Sequence, residues 1–267
     1  ADFALDLIEL DRYHNVNFQG ADNHDRVILS DTSLDGRDVL IGGDTADGSD
    51  VPDPNDSSLS GDTIEVRNDA NITSNDLQGI SEFEILELST DLQGDQTFTV
   101  TMDDSVDAAL DYIFMVGGGA AVHSAGSTFG EVAGDGAVRL DLNAANHSTG
   151  LFVDGRFGGD ANDIIVTGAG VDVIHGGLGD DDLTGGAGAD VFANFDIDNN
   201  GVDTINDFLT GTDVIELSAA DLNGLTGAAT FADGNTGATT AFVEIITTDG
   251  AGAADAAATA VAGTFFY

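Results

Sequence analysis

The chain has no cysteine, no lysine and no tryptophan, and carries only two prolines and six arginines in 267 residues. Without cysteine there are no disulfides, no thiol nucleophile and no iron–sulfur ligation. Without lysine there is neither a P-loop, whose lysine reaches the phosphates, nor a Schiff-base nucleophile. Six arginines against 49 acidic residues, a net charge of −43, cannot assemble the basic stripe that nucleic acid requires, and the same field repels anionic lipid. No nucleic-acid partner is expected. Long apolar runs are missing as well. The best, YIFMVGGGAAV at 112–122, falls short of the ~18–20 residues that cross a bilayer, so the chain is not expected to span a membrane. No basic region followed by an apolar stretch opens the sequence, which argues against a Sec signal peptide.

Catalytic signatures are absent too. The five histidines include no i, i+4 pair, and neither H-E-x-x-H nor G-x-S-x-G occurs, so no enzyme is expected. Carboxylates are too abundant for spacing to single out a glycosidase pair. His175 is expected as a surface strand residue rather than a ligand.

What the chain does have is glycine, 36 residues, and acid that is overwhelmingly aspartate, 41 Asp against 8 Glu. Aspartate is a poor helix former and a good turn and ligand residue, so the excess points to turns. Hydrophobic residues make up 42%, enough for a core.

From Gly158 the sequence falls into four blocks of nine: GGDANDIIV, TGAGVDVIH, GGLGDDDLT and GGAGADVFA, ending at Ala193. The sixth positions are Asp163, Asp172, Asp181 and Asp190, and the eighth are Ile165, Ile174, Leu183 and Phe192. Glycines fill the turn positions at Gly159, Gly168, Gly170, Gly177, Gly179, Gly186 and Gly188, with Ala161 and Thr167 as the two departures. Glycine tolerates the positive φ of a tight turn whose carbonyls face inward. The last three residues of each block suit a short strand with its central side chain inward. The aspartate closing the turn completes a hard oxygen cage of the sort Ca²⁺ takes, with about 6–8 ligands, more readily than the rigid octahedron Mg²⁺ demands.

These blocks resemble the G-G-x-G-x-D-x-(apolar)-x nonapeptides of the RTX (repeats-in-toxin) proteins. The resemblance implies an all-β fold, a right-handed parallel β-roll or β-helix solenoid with a C-terminal β cap, in which two nonapeptides make one coil. It implies that turn 158–163 stacks on 176–181 and 167–172 on 185–190, with Ca²⁺ bracketed by Asp163 and Asp181 and by Asp172 and Asp190. The two departures lie in the first turns, so the 176–190 end is expected to bind best. It further implies secretion to the extracellular space or cell surface through a type I secretion apparatus.

Residues 1–157 read as an irregular β-solenoid-like region. SLDGRDVLI at 33–41 repeats the nonapeptide in its last six positions, and the degenerate coil runs to about residue 50. The five aspartates spaced by three from Asp44 to Asp56 read as a solvated acidic loop or an extra calcium site. DTIEV, EFEILEL and TFTVTM within 61–102 read as strands. NDLQGISEFEILELS is loosely similar to a segment of RTX surface-layer and adhesin proteins. Segments 108–122 and 136–154 fit a solenoid or a packed sandwich. Residues 158–193 form the roll, and 194–267 a capping region with a low-complexity tail.

Within that cap Asp196, Asp198, Asn200, Gly201 and Asp207 follow the spacing of a calcium loop, although Asp203 stands where such loops are apolar. An ordinary Asx-turn loop is the equal alternative. The functional expectation is a secreted calcium-binding structural protein: a surface-layer, matrix-filament or adhesin component that folds and self-assembles into a homo-oligomer, lattice or filament on binding Ca²⁺. The alternative is the export and folding module of an RTX protease, lipase or toxin.

Overall fold

A computed structural model describes residues 3–6, 16–20, 25–30, 34–43, 61–68, 70–90, 94–117, 137–195, 201–217, 231–232 and 264–265. The described residues contain strands and no helix. In chain order the strands are β1 (Phe3–Asp6), β2 (Asn17–Gln19), β3 (Asp25–Ser30), β4 (Val39–Ile41), β5 (Thr63–Arg67), β6 (Ala70–Ile72) and β7 (Ile80–Ser81). Then come β8 (Ile85–Ser89), β9 (Gln96–Asp103), β10 (Tyr112–Val116), β11 (Val138–Asn146), β12 (Phe152–Phe157), β13 (Ile164–Val166) and β14 (Val173–His175). The last are β15 (Asp182–Thr184), β16 (Val191–Phe195), β17 (Thr204–Ile205), β18 (Val214–Leu217), β19 (Phe231–Ala232) and β20 (Thr264–Phe265).

From β1 to β18 the strands of one sheet alternate with strands of the two sheets opposite it, except that β6 and β7 follow one another between β5 and β8. One sheet has nine strands in the order β1-β3-β5-β8-β10-β12-β14-β16-β18; opposite it lie a six-stranded sheet, β6-β9-β11-β13-β15-β17, and a three-stranded one, β2-β4-β7. Every pairing in these three sheets is parallel, and among the described residues only β19 and β20 pair antiparallel. Parallel neighbours joined by crossings to an opposite sheet are the signature of a β-solenoid, as the resemblance to the RTX nonapeptides implies. The nine-stranded sheet passes from region 1–157 into the repeats and on to β18, so segment 201–217 closes the described solenoid as one further coil.

The core is a set of side-chain columns. Ile113, Val153, Ile174, Phe192 and Ile215 are cross-strand partners in one sheet; Leu142, Ile165, Leu183 and Ile205 are partners in the other. All except Ile205 and Ile215 are buried, and those two pack against the cluster. The three-residue strands of the repeats occupy the last three positions of the blocks, with the middle residue inward, because period-2 alternation leaves one side chain per strand for the core.

Coil length explains why only part of this was visible in the sequence. Ile164 pairs with Asp182 and Val173 with Val191, intervals of 18. Upstream, Thr63 pairs with Ile85, Ile85 with Tyr112 and Tyr112 with Phe152, intervals of 22, 27 and 40. Excursions between strands break the period while the register of the inward residues is kept. Within segments 108–122 and 136–154, where solenoid and sandwich were both open, the described residues 108–117 and 137–154 belong to the solenoid through β10, β11 and β12.

Part of the outward face of the nine-stranded sheet, around β8, β10 and β12, is also buried. Ile85, Tyr112, Phe114 and Val116 form a second apolar cluster, with Phe152 and Phe157 against it. The Tyr112 hydroxyl donates to Asp154 Oδ2 at 2.9 Å, and Arg156 clasps the same fully buried carboxylate through Nε and Nη2. His175 lies in this cluster with its ring 5.3 Å from that of Phe152. It is buried, which corrects the expectation of a surface residue, and burial depresses its pKa to about 4. The acidic loop at 44–56 and the tail at 249–262 lie outside the described residues.

Candidate metal centre

The strand-to-strand crossings of the repeats form two columns of stacked turns. In the first, turn 158–163 is followed by 176–181 and then by the turn ending at Asp203. In the second, 167–172 is followed by 185–190 and then by the turn ending at Asp213. The glycines make this stacking possible. A Cβ on Gly179 would lie 2.1 Å from the carbonyl oxygen of Ala161, and one on Gly186 or Gly188 would lie 1.9 or 1.8 Å from the oxygens of Gly168 or Gly170. These carbonyl oxygens therefore sit in the space a side chain would take. Gly177, Gly179 and Gly186 also have positive φ, of 107°, 128° and 86°. Gly159 has φ 100°.

The aspartates knit each column together. Asp181 Oδ1 accepts from the Asp163 amide at 2.8 Å, and Asp203 Oδ1 from the Asp181 amide at 3.1 Å. In the second column Asp190 Oδ1 accepts from the Asp172 amide at 3.0 Å, and Asp213 Oδ1 from the Asp190 amide at 3.2 Å. At the inner ends Asp163 and Asp172 accept from the amides of Leu140 and Leu151, so leucine precedes aspartate in both ladders. Each carboxylate thus spends one oxygen on the previous turn. In Asp172 and Asp181 the other, Oδ2, is buried with no hydrogen-bond partner. Asp181 Oδ2 sits over the start of its own turn, 2.3 Å from where a Gly176 Cβ would be.

Stranding a carboxylate oxygen in this way is expensive, and the protonation equilibria register it. Burial pushes Asp181 up to about 7, with the charges of Asp203 and Asp180 adding to it and the Asp163 amide opposing. Burial likewise lifts Asp203 to about 6, and raises Asp163, Asp172 and Asp190. A column of raised carboxylates with orphaned oxygens beside backbone carbonyls asks for a cation that takes only oxygen. Among the described residues no three His, Cys, Asp or Glu side chains converge on one point, so the donor set is one or two carboxylates plus backbone, which suits Ca²⁺ and not a transition metal.

Residues 157–192 match the family model of the RTX calcium-binding nonapeptide repeat, in four copies. They are RTX calcium-binding nonapeptide repeats. Ca²⁺ is accordingly the ion of these turns. No curated protein and no solved structure matches the chain.

Outside the RTX segment the structure assigns places the motif alone did not. Gly201, with φ 81°, stacks on the Gly179 carbonyl as Gly179 stacks on Ala161. Asp203 falls in the sixth position of that turn and half-buried Ile205 in the eighth, so the residues read as a calcium-loop spacing carry a degenerate nonapeptide, DNNGVDTIN. Asp207 is placed elsewhere: its two oxygens accept from the amides of Gly185 and Gly186, at 3.0 and 2.7 Å. Asp196, Asp198 and Asn200 lie outside the described residues. FLTGTDVIE at 208–216 repeats the pattern again with Gly211, Asp213 and Ile215. Thr167, one of the two departures, is buried, and its hydroxyl donates to the Gly185 carbonyl at 2.8 Å. Upstream, Asp38 and Leu40 of the degenerate coil are buried as the repeat pattern requires, and Asp38 accepts from the amides of Val16 and Asp35. An acidic ladder recurs there: Asp62 Oδ1 accepts from the Asp25 amide and Glu84 Oε2 from the Asp62 amide. Residues 43–61 separate Gly42 from Asp62 and hide that ladder; its sequence signal is the acid-x-apolar spacing of Asp25 with Val27 and of Asp62 with Ile64, and Val27 and Ile64 pair in the sheet.

Proposed function

We propose that this chain is a secreted calcium-binding protein with a structural extracellular role, a component of a surface layer, matrix filament or adhesin, that folds and self-assembles when Ca²⁺ fills the repeat turns. The supporting observation is the pair of aspartate ladders with their buried, unpartnered Oδ2 atoms, which make the metal-free roll costly. Asp163 with Asp181, and Asp172 with Asp190, are the carboxylates assigned to the ions. Backbone oxygens beside Gly159, Gly168, Gly170, Gly177, Gly179, Gly186 and Gly188 complete the cages.

The magnitudes support coupling of folding to calcium. An ion that binds only the folded form adds about 2.7 kcal/mol at 100 times its Kd. Two ions supply about 5 kcal/mol, near the lower end of ordinary domain stability, ~5–15 kcal/mol. In a calcium-poor cytosol the polyanion stays unfolded and exportable, which fits type I secretion; outside, it sets. Among the described residues no helix is long and apolar enough to cross a membrane.

Charge also frames the self-assembly. All five described arginines are paired within the chain: Arg26 with Glu65 and Glu87, Arg37 with Asp35, Arg67 with Glu65, Arg139 with Asp141, and Arg156 with Asp154. With these five cations engaged internally, one acidic copy meets another through divalent bridges. Size-exclusion chromatography and electron microscopy with calcium and with chelator test this. Large particles that dissociate on chelation are expected; particles unchanged by chelator, or a monomer in both conditions, defeat the assembly reading.

A further inference from the structure

Resting on the assignment of Ca²⁺ to the repeat turns, we propose that the first ion column continues past the matched repeats to a further Ca²⁺ site between turn 176–181 and the turn ending at Asp203, whereas the second column stops at turn 185–190 under a cap made by the protein. The two columns look equivalent in sequence, since each is followed by a degenerate nonapeptide with glycine in position four and aspartate in position six. Their surroundings differ.

In the first column the next turn presses on the repeat. A Cβ on Gly201 would lie 2.2 Å from the Gly179 oxygen and 2.7 Å from Asp180 Oδ1, and the Val202 amide donates to Asp180 Oδ1 at 2.7 Å. Under this cover Asp181, 2% exposed, keeps Oδ2 buried and without a partner. Asp172 Oδ2, which the RTX turn 185–190 covers, is likewise buried without a hydrogen bond, although the Thr167 hydroxyl and the Gly168 amide are close enough to favour its carboxylate. Asp181 therefore stands to the turn of Asp203 as Asp172 stands to that of Asp190. The donors at the new position are the carboxylates of Asp181 and Asp203 with the backbone oxygen of Gly179. An oxygen-only set with two carboxylates takes a large, hard divalent ion.

In the second column the corresponding groups are already used. Asp207 accepts from the amides of Gly185 and Gly186, Asp213 Oδ1 from that of Asp190 and Asp213 Oδ2 from that of Leu209 at 2.6 Å. A Cβ on Gly211 would meet nothing within 4 Å, so this last turn does not close on the one before it.

Native mass spectrometry of the intact chain in calcium, with circular dichroism to confirm folding, separates the columns. Asp203→Asn lowers the ion count by one relative to wild type, and Asp213→Asn leaves it unchanged. An unchanged count in Asp203→Asn, or a loss in Asp213→Asn, overturns the proposal. A wild type that holds no calcium defeats instead the assignment on which it rests. Should Asp203→Asn fail to fold, the anomalous difference map of a wild-type calcium crystal decides: a peak between Asp181 and Asp203 is expected, and density confined to the Asp163–Asp181 and Asp172–Asp190 positions contradicts it.

Discussion

Replacing Gly186 by alanine isolates what the glycines contribute. Gly186 has φ 86°, and a Cβ there would lie 1.9 Å from the Gly168 oxygen and 3.1 Å from that of Thr167. The left-handed backbone costs an L-residue about 1–2 kcal/mol. The overlap is with main chain, which accepts the Ala187 amide at 2.7 Å and cannot swing away, and forced overpacking costs ~1–3 kcal/mol more. The expected loss is ~2–5 kcal/mol in all, and at ~1.4 kcal/mol per decade at least a roughly 30-fold weaker apparent calcium affinity. Two further glycines divide the terms. Gly211 has the same φ, 86°, with nothing within 4 Å, so Gly211→Ala loses only the backbone part, about 1–2 kcal/mol. Gly94 has neither a positive φ nor a neighbour within 4 Å, so Gly94→Ala stays within ~0.5 kcal/mol of wild type. Denaturant unfolding at fixed calcium, with calcium titration followed by circular dichroism, gives all three values. A Gly186→Ala loss no greater than that of Gly211→Ala refutes the claim that turn-on-turn contact builds the sites.

Three other outcomes are expected. Asp181 and Asp203 have folded-state pKa values raised to about 7 and 6, so the folded form holds more protons than the unfolded one above pH ~4; metal-free stability is greatest below that pH and falls as pH rises to about 7, while apparent calcium affinity rises over the same window, as unfolding and titration from pH 4 to 8 will show. Phe192→Ala empties a fully buried position packed on Phe208 and costs about 3–5 kcal/mol in calcium-saturated denaturation. Tyr112→Phe removes the hydrogen bond to buried Asp154 and costs about 1–3 kcal/mol in the same assay, with the ion count unchanged.

The repeats were legible because two chemistries recur at a fixed interval: a carboxylate that must close a turn and an apolar residue that must face inward. Their stacking follows from the 18-residue coil. The further coil at 201–217 escaped notice because DNNGVDTIN lacks the paired leading glycines and also fits a calcium-loop spacing; the aspartate at 203, an anomaly in that loop, is the residue that belongs in the ladder. The coils upstream were harder still. The excursion between Gly42 and Asp62 and the 40-residue interval between Tyr112 and Phe152 remove periodicity without disturbing strand register, and a pattern counted along the chain does not survive an insertion. The Asp154, Tyr112 and Arg156 cluster draws on β10 and β12, so no local motif announces it, and the burial of His175 follows from the covered outer face of the sheet.

The most direct measurement is small-angle scattering and circular dichroism on the intact chain as calcium is added to a chelated sample near pH 7.5. An expanded, poorly structured polyanion that collapses to a compact β form, its transition shifted by Asp172→Asn and Asp181→Asn, is the result expected. A chain equally compact and β-structured in chelator contradicts the account.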